Sequence, residues 1–436
     1  CDKNLADSEE MLGLLTGSGH EIVDSEEEAE AIVINTCCFI HDAKEESVNT
    51  ILEMAEYKKT GKCKALVVTG CMAQRYKEEI TQEIPEVDAV LGTTSYGDIV
   101  KALNEVQAGH VFQEFRDINE LPEDSGRRVL TTGGHFGYLK IAEGCDKHCT
   151  YCIIPSLRGS FRSVPEERLL AQAEYMASQG VKELILVAQE TTVYGTDLYG
   201  RKTLHILLKK LCQIRGIRWI RVLYCYPEEI YDELIQVMKE EKKICNYLDL
   251  PIQHASDRIL KRMGRRTTRK QLTDIITKLR REIPDIVLRT SLITGFPGET
   301  QEDHEELMEF VDEMEFDRLG VFTYSPEEGT PAETMEGQVP EEVKEERRDE
   351  IMSLQQEISL EKGSERIGQE LLVMIEGKVS GESAYIGRTY ADAPKVDGYL
   401  FVQTGELLVT GDFARVRVTG ALEYDLIGEL ADEYTE

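Results

Sequence analysis

The segment Gly144-Cys145-Asp146-Lys147-His148-Cys149-Thr150-Tyr151-Cys152 sets three thiols at C-x-x-x-C-x-x-C spacing. On one loop, that spacing can wrap one face of a cubane iron–sulfur cluster, because thiolates are the soft ligands such clusters take. No fourth Cys lies nearby in sequence, which would leave the fourth iron open to a small molecule. A structural zinc loop would want four closed ligands, and only His148 is at hand to complete that set. A second group of thiols is dispersed. Cys37 follows the apolar run Ala31–Thr36, Cys71 follows Lys64–Gly70, and Cys1 would follow a strand preceding the first residue. Parallel strands end at one sheet edge, so these three can meet there although they are 36 and 34 residues apart. A second open cluster and a set of buried free thiols both fit that geometry.

Elements must bring these groups together. Apolar runs at 31–36, 64–70 and 88–92 alternate with helical patterns at 7–15, 42–58, 73–83 and 96–106. This predicts a doubly wound α/β domain over residues 1–133, with Asp117–Gly134 as its polar linker. Residues 134–365 repeat strand then helix, with strands expected at 138–143, 184–189, 220–224, 248–253, 287–293 and 319–324. Such a repeat curls into a whole or partial (βα)6 barrel whose chemistry gathers where the strands end. Glu341–Arg366 reads as a charged helical connector. Residues 366–436 carry five short alternating runs between Gly- and Asp-rich turns, which predicts a small all-β barrel of the oligonucleotide-binding size class.

Among the 436 residues, 50 Lys and Arg face 82 Asp and Glu, a net charge of −32. That field repels phosphate backbones and attracts basic partners. No stretch reaches the ~18 uncharged apolar residues of a membrane span, so no membrane partner is expected. Eleven cysteines, an odd number, argue for a reducing, cytoplasmic setting and for metal or catalytic use of some thiols. A first residue that is Cys suits a processed lipoprotein or a trimmed N-terminus, and the helical pattern that follows favours trimming.

The barrel triad, with Tyr151 before its last Cys, resembles the signature of the radical S-adenosylmethionine (SAM) superfamily. The resemblance implies that Cys145, Cys149 and Cys152 hold a 4Fe-4S cluster. Its open iron chelates the SAM amino and carboxylate groups and injects an electron, releasing a 5′-deoxyadenosyl radical. Gln189 and Glu190 stand where that superfamily contacts the SAM amino group. The run Ser291–Glu299 (SLITGFPGE) fits the same site, with Ser291, Gly295, Gly298 and Glu299 along the adenosine and Thr300 and Asp303 capping the next helix. Cys1-Asp2-Lys3-Asn4-Leu5-Ala6-Asp7-Ser8-Glu9, Asn35-Thr36-Cys37 and Thr69-Gly70-Cys71-Met72-Ala73-Gln74-Arg75-Tyr76 resemble the N-terminal domain of the methylthiotransferases. That likeness implies an auxiliary 4Fe-4S cluster on Cys1, Cys37 and Cys71, and a TRAM-type C-terminal barrel.

Within that family, Lys3-Asn4-Leu5 and Gly387–Gly398 (GRTYADAPKVDG) are like the RimO-type branch, which modifies an aspartate of small-subunit ribosomal protein twelve. A tRNA-modifying enzyme acting on an adenosine near the anticodon is the alternative. From 367 to 436 there are 13 acidic and 5 basic residues, net −8, which suits a Lys/Arg-rich protein better than tRNA. Lys261–Lys270, with six basic residues in ten, cuts the other way, as an RNA contact or a solvated helix end. Arg158 and Arg162 are expected to grip a substrate carboxylate by bidentate hydrogen bonds. The resemblance implies one SAM to methylate a sulfur at the auxiliary cluster and a second to be cleaved. Hydrogen then leaves the aspartate β-carbon, which captures the methylthio group. Flavodoxin or ferredoxin is the implied electron donor, and the substrate is met free or on the ribosome.

Overall fold

The computed structural model describes residues 1–123 and 126–431. Residues 124–125 of the expected linker and the last five residues of the C-terminal module lie outside them. Strands Ala31–Thr36, Ala65–Gly70, Ala89–Leu91 and Phe112–Glu114 form a parallel sheet in chain order. Successive side chains of a strand point to opposite faces, and here both faces are apolar. Ile32, Leu66, Val68 and Val90 pack beneath the helices His41–Thr60 and Cys71–Tyr76. Val67, Ala89 and Leu91 pack against Asp2–Gly17 and Ile99–Gln107 on the other side. The register pairs Thr36 with Gly70, so both strands stop level and Cys37 and Cys71 leave from one edge.

Six parallel strands form the second sheet, in the order Arg318–Thr323, Val287–Thr294, Ile244–Asp249, Trp219–Val222, Glu183–Val187, Phe136–Lys140. The two outer strands do not pair with each other, so the barrel is open. Helices Glu166–Ser178, Leu204–Cys212, Asp232–Glu240, Arg269–Glu282 and Gln301–Met314 cover it, and Thr300 with Asp303 closes a capping box on the last. One expected element is divided. The strand drawn over 138–143 leaves the sheet at Lys140, and Ala142–Glu143 pairs instead with Arg162–Ser163 in a short antiparallel ladder. That ladder pulls the chain sideways and launches the Cys145 loop.

After the connector helix Glu341–Ser364, five strands close a barrel: Glu370–Lys378, Ala384–Arg388, Leu400–Gln403, Leu426–Leu430 and Phe413–Ala421 in spatial order. Its loop after Arg388 reaches into the open barrel at the end where the parallel strands begin, away from the Cys145 loop. Arg388 donates to Glu183 Oε2 at 2.7 Å and Arg221 donates to Glu183 Oε1 at 2.8 Å, all three fully buried. Arg318 pairs with Asp392 at 2.5 Å, and Tyr247 donates to Asp397 at 2.7 Å. Phe413 meets the Trp219 ring edge-on at 4.8 Å. The C-terminal module therefore stoppers the barrel with a core of its own residues and paired charges. Among the described residues no helix is long and apolar enough to cross a membrane.

Candidate iron–sulfur and SAM site

The Cys145 loop is held by backbone on both flanks. Cys145 N donates to Gly159 O at 3.1 Å and Thr150 N to Met263 O at 2.9 Å. Gly144 starts the loop with φ 77°, and a Cβ there would run into the carbonyl oxygens of Gly159 and Ser160. Gly144→Ala combines a left-handed backbone with that collision, so a local cost of about 2 kcal/mol or more is expected. The reconstituted variant should retain markedly less iron at the barrel site than wild type. Full iron retention would show that the loop tolerates displacement.

Cys145 and Cys149 are buried and Cys152 is half-buried, and all eleven cysteines are free thiols. Burial pushes the Cys145 thiol up to about 11 and the Cys152 thiol up to about 12, with the neighbouring thiols of the triad adding to it. A pocket that penalises negative charge on Cys145 and Cys152 suits thiols that a cationic centre would deprotonate on coordination. Among the described residues no three His, Cys, Asp or Glu side chains converge on a single-ion position. A cubane's three protein ligands bind different irons, so they need not share such a point. The Tyr226 hydroxyl stands 3.7 Å from Cys149 Sγ, and the Arg265 guanidinium stacks on the Tyr226 ring at 4.2 Å.

Gln189 and Glu190 follow the strand Glu183–Val187. Glu190 is 1% exposed. Its Oε1 accepts from Thr192 N at 3.1 Å, whereas its Oε2 has no partner, and neither has Gln189 Oε1. Two orphaned buried acceptors on adjacent residues match an ammonium donor, so this corner fits the SAM amino group. Burial raises the Glu190 carboxyl to about 7. A carboxyl whose folded value lies above its unfolded value stabilises the fold at low pH, and that stability is lost as pH climbs from about 4.5 to about 7. Glu190→Gln should therefore gain about 3 kcal/mol relative to wild type at pH 8 and little at pH 4.5, by unfolding of SAM-free protein across that range. A difference that does not change with pH would sink this account.

The SLITGFPGE run folds back on itself. Glu299 Oε2 accepts from Gly295 N at 2.9 Å and Phe296 N at 3.3 Å, while its Oε1 takes Arg347 at 2.8 Å. Gly295 and Gly298 leave room for the side chains of Lys344 and Arg262, respectively. Ser291 is half-buried beside Arg289 at 3.4 Å, and the Tyr151 ring sits edge-on to Phe296 at 6.4 Å. The glycines thus serve close packing by basic side chains of this chain, which the residue types alone did not indicate.

On the other thiol set, Cys1 is exposed, Cys37 half-buried and Cys71 buried. Arg158, 2% exposed, lies between the two sets. It donates to Asn4 Oδ1 at 2.5 Å, Asp7 Oδ2 at 3.1 Å and Glu143 Oε1 and Oε2 at 3.3 Å, and its charge bears on Cys71. Lys140 joins Asp7 and Glu143. In sequence, Asn4 and Asp7 carry no assigned role, and Lys140 and Glu143 do not stand out; the i,i+3 spacing on the first helix hints that Asn4 and Asp7 share a face, and nothing marks the strand-end pair. Arg162 differs from Arg158. It donates to Arg158 O at 3.1 Å and to Ser160 O at 2.5 Å, and leaves Nε and Nη2 buried without partners.

The basic run 261–270 is largely consumed internally. Arg262 donates to Pro297 O, Arg265 pairs with Glu228, Arg269 spans Glu306, Glu309 and Glu313, and Lys270 pairs with Asp274.

An open parallel barrel, a three-thiol loop at the end of its first strand and orphaned acceptors beside that loop define a radical SAM transferase. Comparisons agree part by part. A profile of the radical SAM superfamily matches residues 139–311, one described as an uncharacterized protein family, UPF0004, matches 1–92, and a TRAM domain profile matches 367–431. Proteins named ribosomal protein uS12 methylthiotransferase RimO align over nearly the whole chain. The one from Lachnoclostridium phytofermentans is 63% identical, covering 98% of this chain and 97% of its own. Those from Pelotomaculum thermopropionicum and Clostridium botulinum are 51% and 50% identical, covering 98% and 100% of this chain and 97% of each relative. The chain belongs to the RimO methylthiotransferase family, and with that membership come SAM and 4Fe-4S clusters as cofactors. The fold is also shared with the radical SAM methyltransferase TsrM of Kitasatospora setae. Two of its structures align at TM-score 0.54 and 13% or 12% identity, over 76% of this chain and 72% or 73% of that one.

Proposed function

We propose that this chain adds a methylthio group to the β-carbon of an aspartate in the basic ribosomal protein uS12, in the cytoplasm, with electrons from a flavodoxin- or ferredoxin-like donor. The observation that carries the reading is the buried Arg158 network, which ties Asn4 and Asp7 on the helix after Cys1 to Glu143, two residues before Cys145. In this reading, residues 1–133, 134–365 and 366–436 are the three working parts. Cys145, Cys149 and Cys152 hold the barrel cluster, and Cys1, Cys37 and Cys71 hold the auxiliary one. The bound clusters and SAM supply what no side chain can, removal of hydrogen from an unactivated carbon and a methylated sulfur to replace it.

The protein's part is placement. Gln189 and Glu190 orient the SAM amino group through their unpaired oxygens, while Tyr151, Ser291, Gly295, Gly298 and Glu299 shape the wall along its adenosine. Arg162, with two unpaired buried N–H groups, takes the substrate carboxylate, because the Arg158 fork is filled by Asp7, Glu143 and Asn4. A cavity of about 430 Å³ runs from Cys1 past Tyr224 and Arg289 to Pro394, Lys395 and Val396, so all three parts wall the space beside Cys1. The deciding experiment reconstitutes the protein anaerobically with iron, sulfide, SAM and a reductant. It then offers a peptide around the uS12 aspartate and, separately, unmodified tRNA. A methylthio mass gain on the peptide alone is expected, and a gain on tRNA alone would overturn the reading.

A further inference from the structure

Arg158 is more thoroughly embedded than a substrate clamp needs to be, and two of its partners, Asn4 and Glu143, lead to residues that neighbour a cysteine of one set or the other. Asn4, which accepts its Nη2, also donates to Thr36 O at 2.9 Å, the residue before Cys37. Leu5, next to Asn4, donates its backbone N–H to Cys1 O at 3.0 Å. Cys71 opens the helix Cys71–Tyr76, which packs against Ile154–Arg158, and it shares a buried cluster with Ile153 and Leu157, so the guanidinium at the end of that helix bears on it. On the opposite side, Glu143 stands two residues before Cys145 and also receives Gln189 Nε2 at 2.9 Å. One side chain therefore bonds Asn4 and Glu143, which in turn bond Thr36 beside Cys37 and Gln189 at the SAM corner.

Stability alone does not call for this arrangement. Lys140 already pairs with both Asp7 and Glu143, and two acids with two bases could be replaced by apolar groups of similar volume at little cost. Arg221 and Arg388 are buried as deeply for packing alone, so what sets Arg158 apart is its place beside the first thiol set. We propose that Arg158 is a positioning residue that fixes the auxiliary cluster relative to the barrel cluster and raises its reduction potential through its charge beside Cys71. The inference rests on the assignment of Cys1, Cys37 and Cys71 to the auxiliary cluster. A cation and N–H donors near a ligating sulfur favour the more negative, reduced state of a cluster. Only a guanidinium supplies permanent charge and a planar fork that can hold Asn4 and Asp7 at once.

The test uses the full chain with Cys145, Cys149 and Cys152 changed to alanine, so that the auxiliary cluster alone is reconstituted. Its midpoint potential and paramagnetic resonance spectrum are then compared with and without Arg158→Gln. The expected result is retained iron, a lower midpoint potential and altered g-values, with Arg158→Lys restoring part of the potential. Loaded Arg158→Gln protein with unchanged potential and spectrum would overturn the proposal. Should Arg158→Gln lose its iron, Asn4→Ala provides a second reading, since it frees Nη2 while keeping the charge. It is expected to change the spectrum, and an unchanged spectrum in both Asn4→Ala and Arg158→Lys would equally overturn the idea. Absence of any cluster in the triple variant with Arg158 intact would instead reject the auxiliary-cluster assignment itself.

Discussion

With Cys145, Cys149 and Cys152 all changed to alanine, the reconstituted protein should lose one cluster's worth of iron, and reductive cleavage of SAM should fall to background, by at least about 10⁶-fold. Each of these thiols is free of disulfide bonding, and together they are the three-thiol set on the barrel's first loop. The fold should survive. The backbone bonds from Cys145 N to Gly159 O and from Thr150 N to Met263 O do not depend on the sulfurs. A thermal midpoint close to that of metal-free wild type is therefore expected beside the lost activity. Continued SAM cleavage by this variant would refute the placement of the barrel cluster.

The second large effect lies at the opposite end of the barrel and concerns stability. Glu183 is the single buried carboxylate shared by Arg221 and Arg388. Removing it with Glu183→Ala leaves Arg221 with no carboxylate in the core and Arg388 with Glu376 alone, and uncompensated buried charge costs about 3–5 kcal/mol. Arg388→Met should cost less. Glu183 then keeps Arg221, and Glu376, the other partner of Arg388, keeps His135 at 2.9 Å. Urea unfolding of the two variants decides the matter, and equal losses would mean that the carboxylate is not the hub.

Much of the architecture was legible because burial leaves a pattern in the residues. The run Val287–Thr294 is rich in the β-branched and aliphatic residues that strands favour, and the helix Glu166–Ser178 shows the expected face of Leu169, Ala173 and Met176. The break at Ile141 was not legible, because Tyr138–Glu143 is a continuous strand-like run and only the ladder with Arg162–Ser163 divides it. Likewise Phe112–Glu114 is too short and mixed to announce an edge strand. The candidate thiol sets are suggested by spacing and by strand ends. The part played by Arg158 is not, since its partners are scattered over the chain from Asn4 to Glu143. The basic run 261–270 shows the same limit, with Arg262, Arg265, Arg269 and Lys270 taken up by partners while Lys261 and Arg266 stay exposed. Charge is visible in a sequence, but the carbonyl oxygens and carboxylates that absorb it are contributed by distant segments.

The stoppered barrel has a consequence for how such enzymes exchange substrates. Arg221, Arg289 and Arg318 on one side, and Asp392 and Asp397 on the other, form a lock whose two halves are encoded more than seventy residues apart. A C-terminal module from a relative with another target is therefore not an interchangeable tool head. Grafted alone, it would leave arginines facing an unsuitable key. New specificity in this lineage is easier to reach by varying the cavity-facing turn at Pro394–Val396 than by trading whole modules.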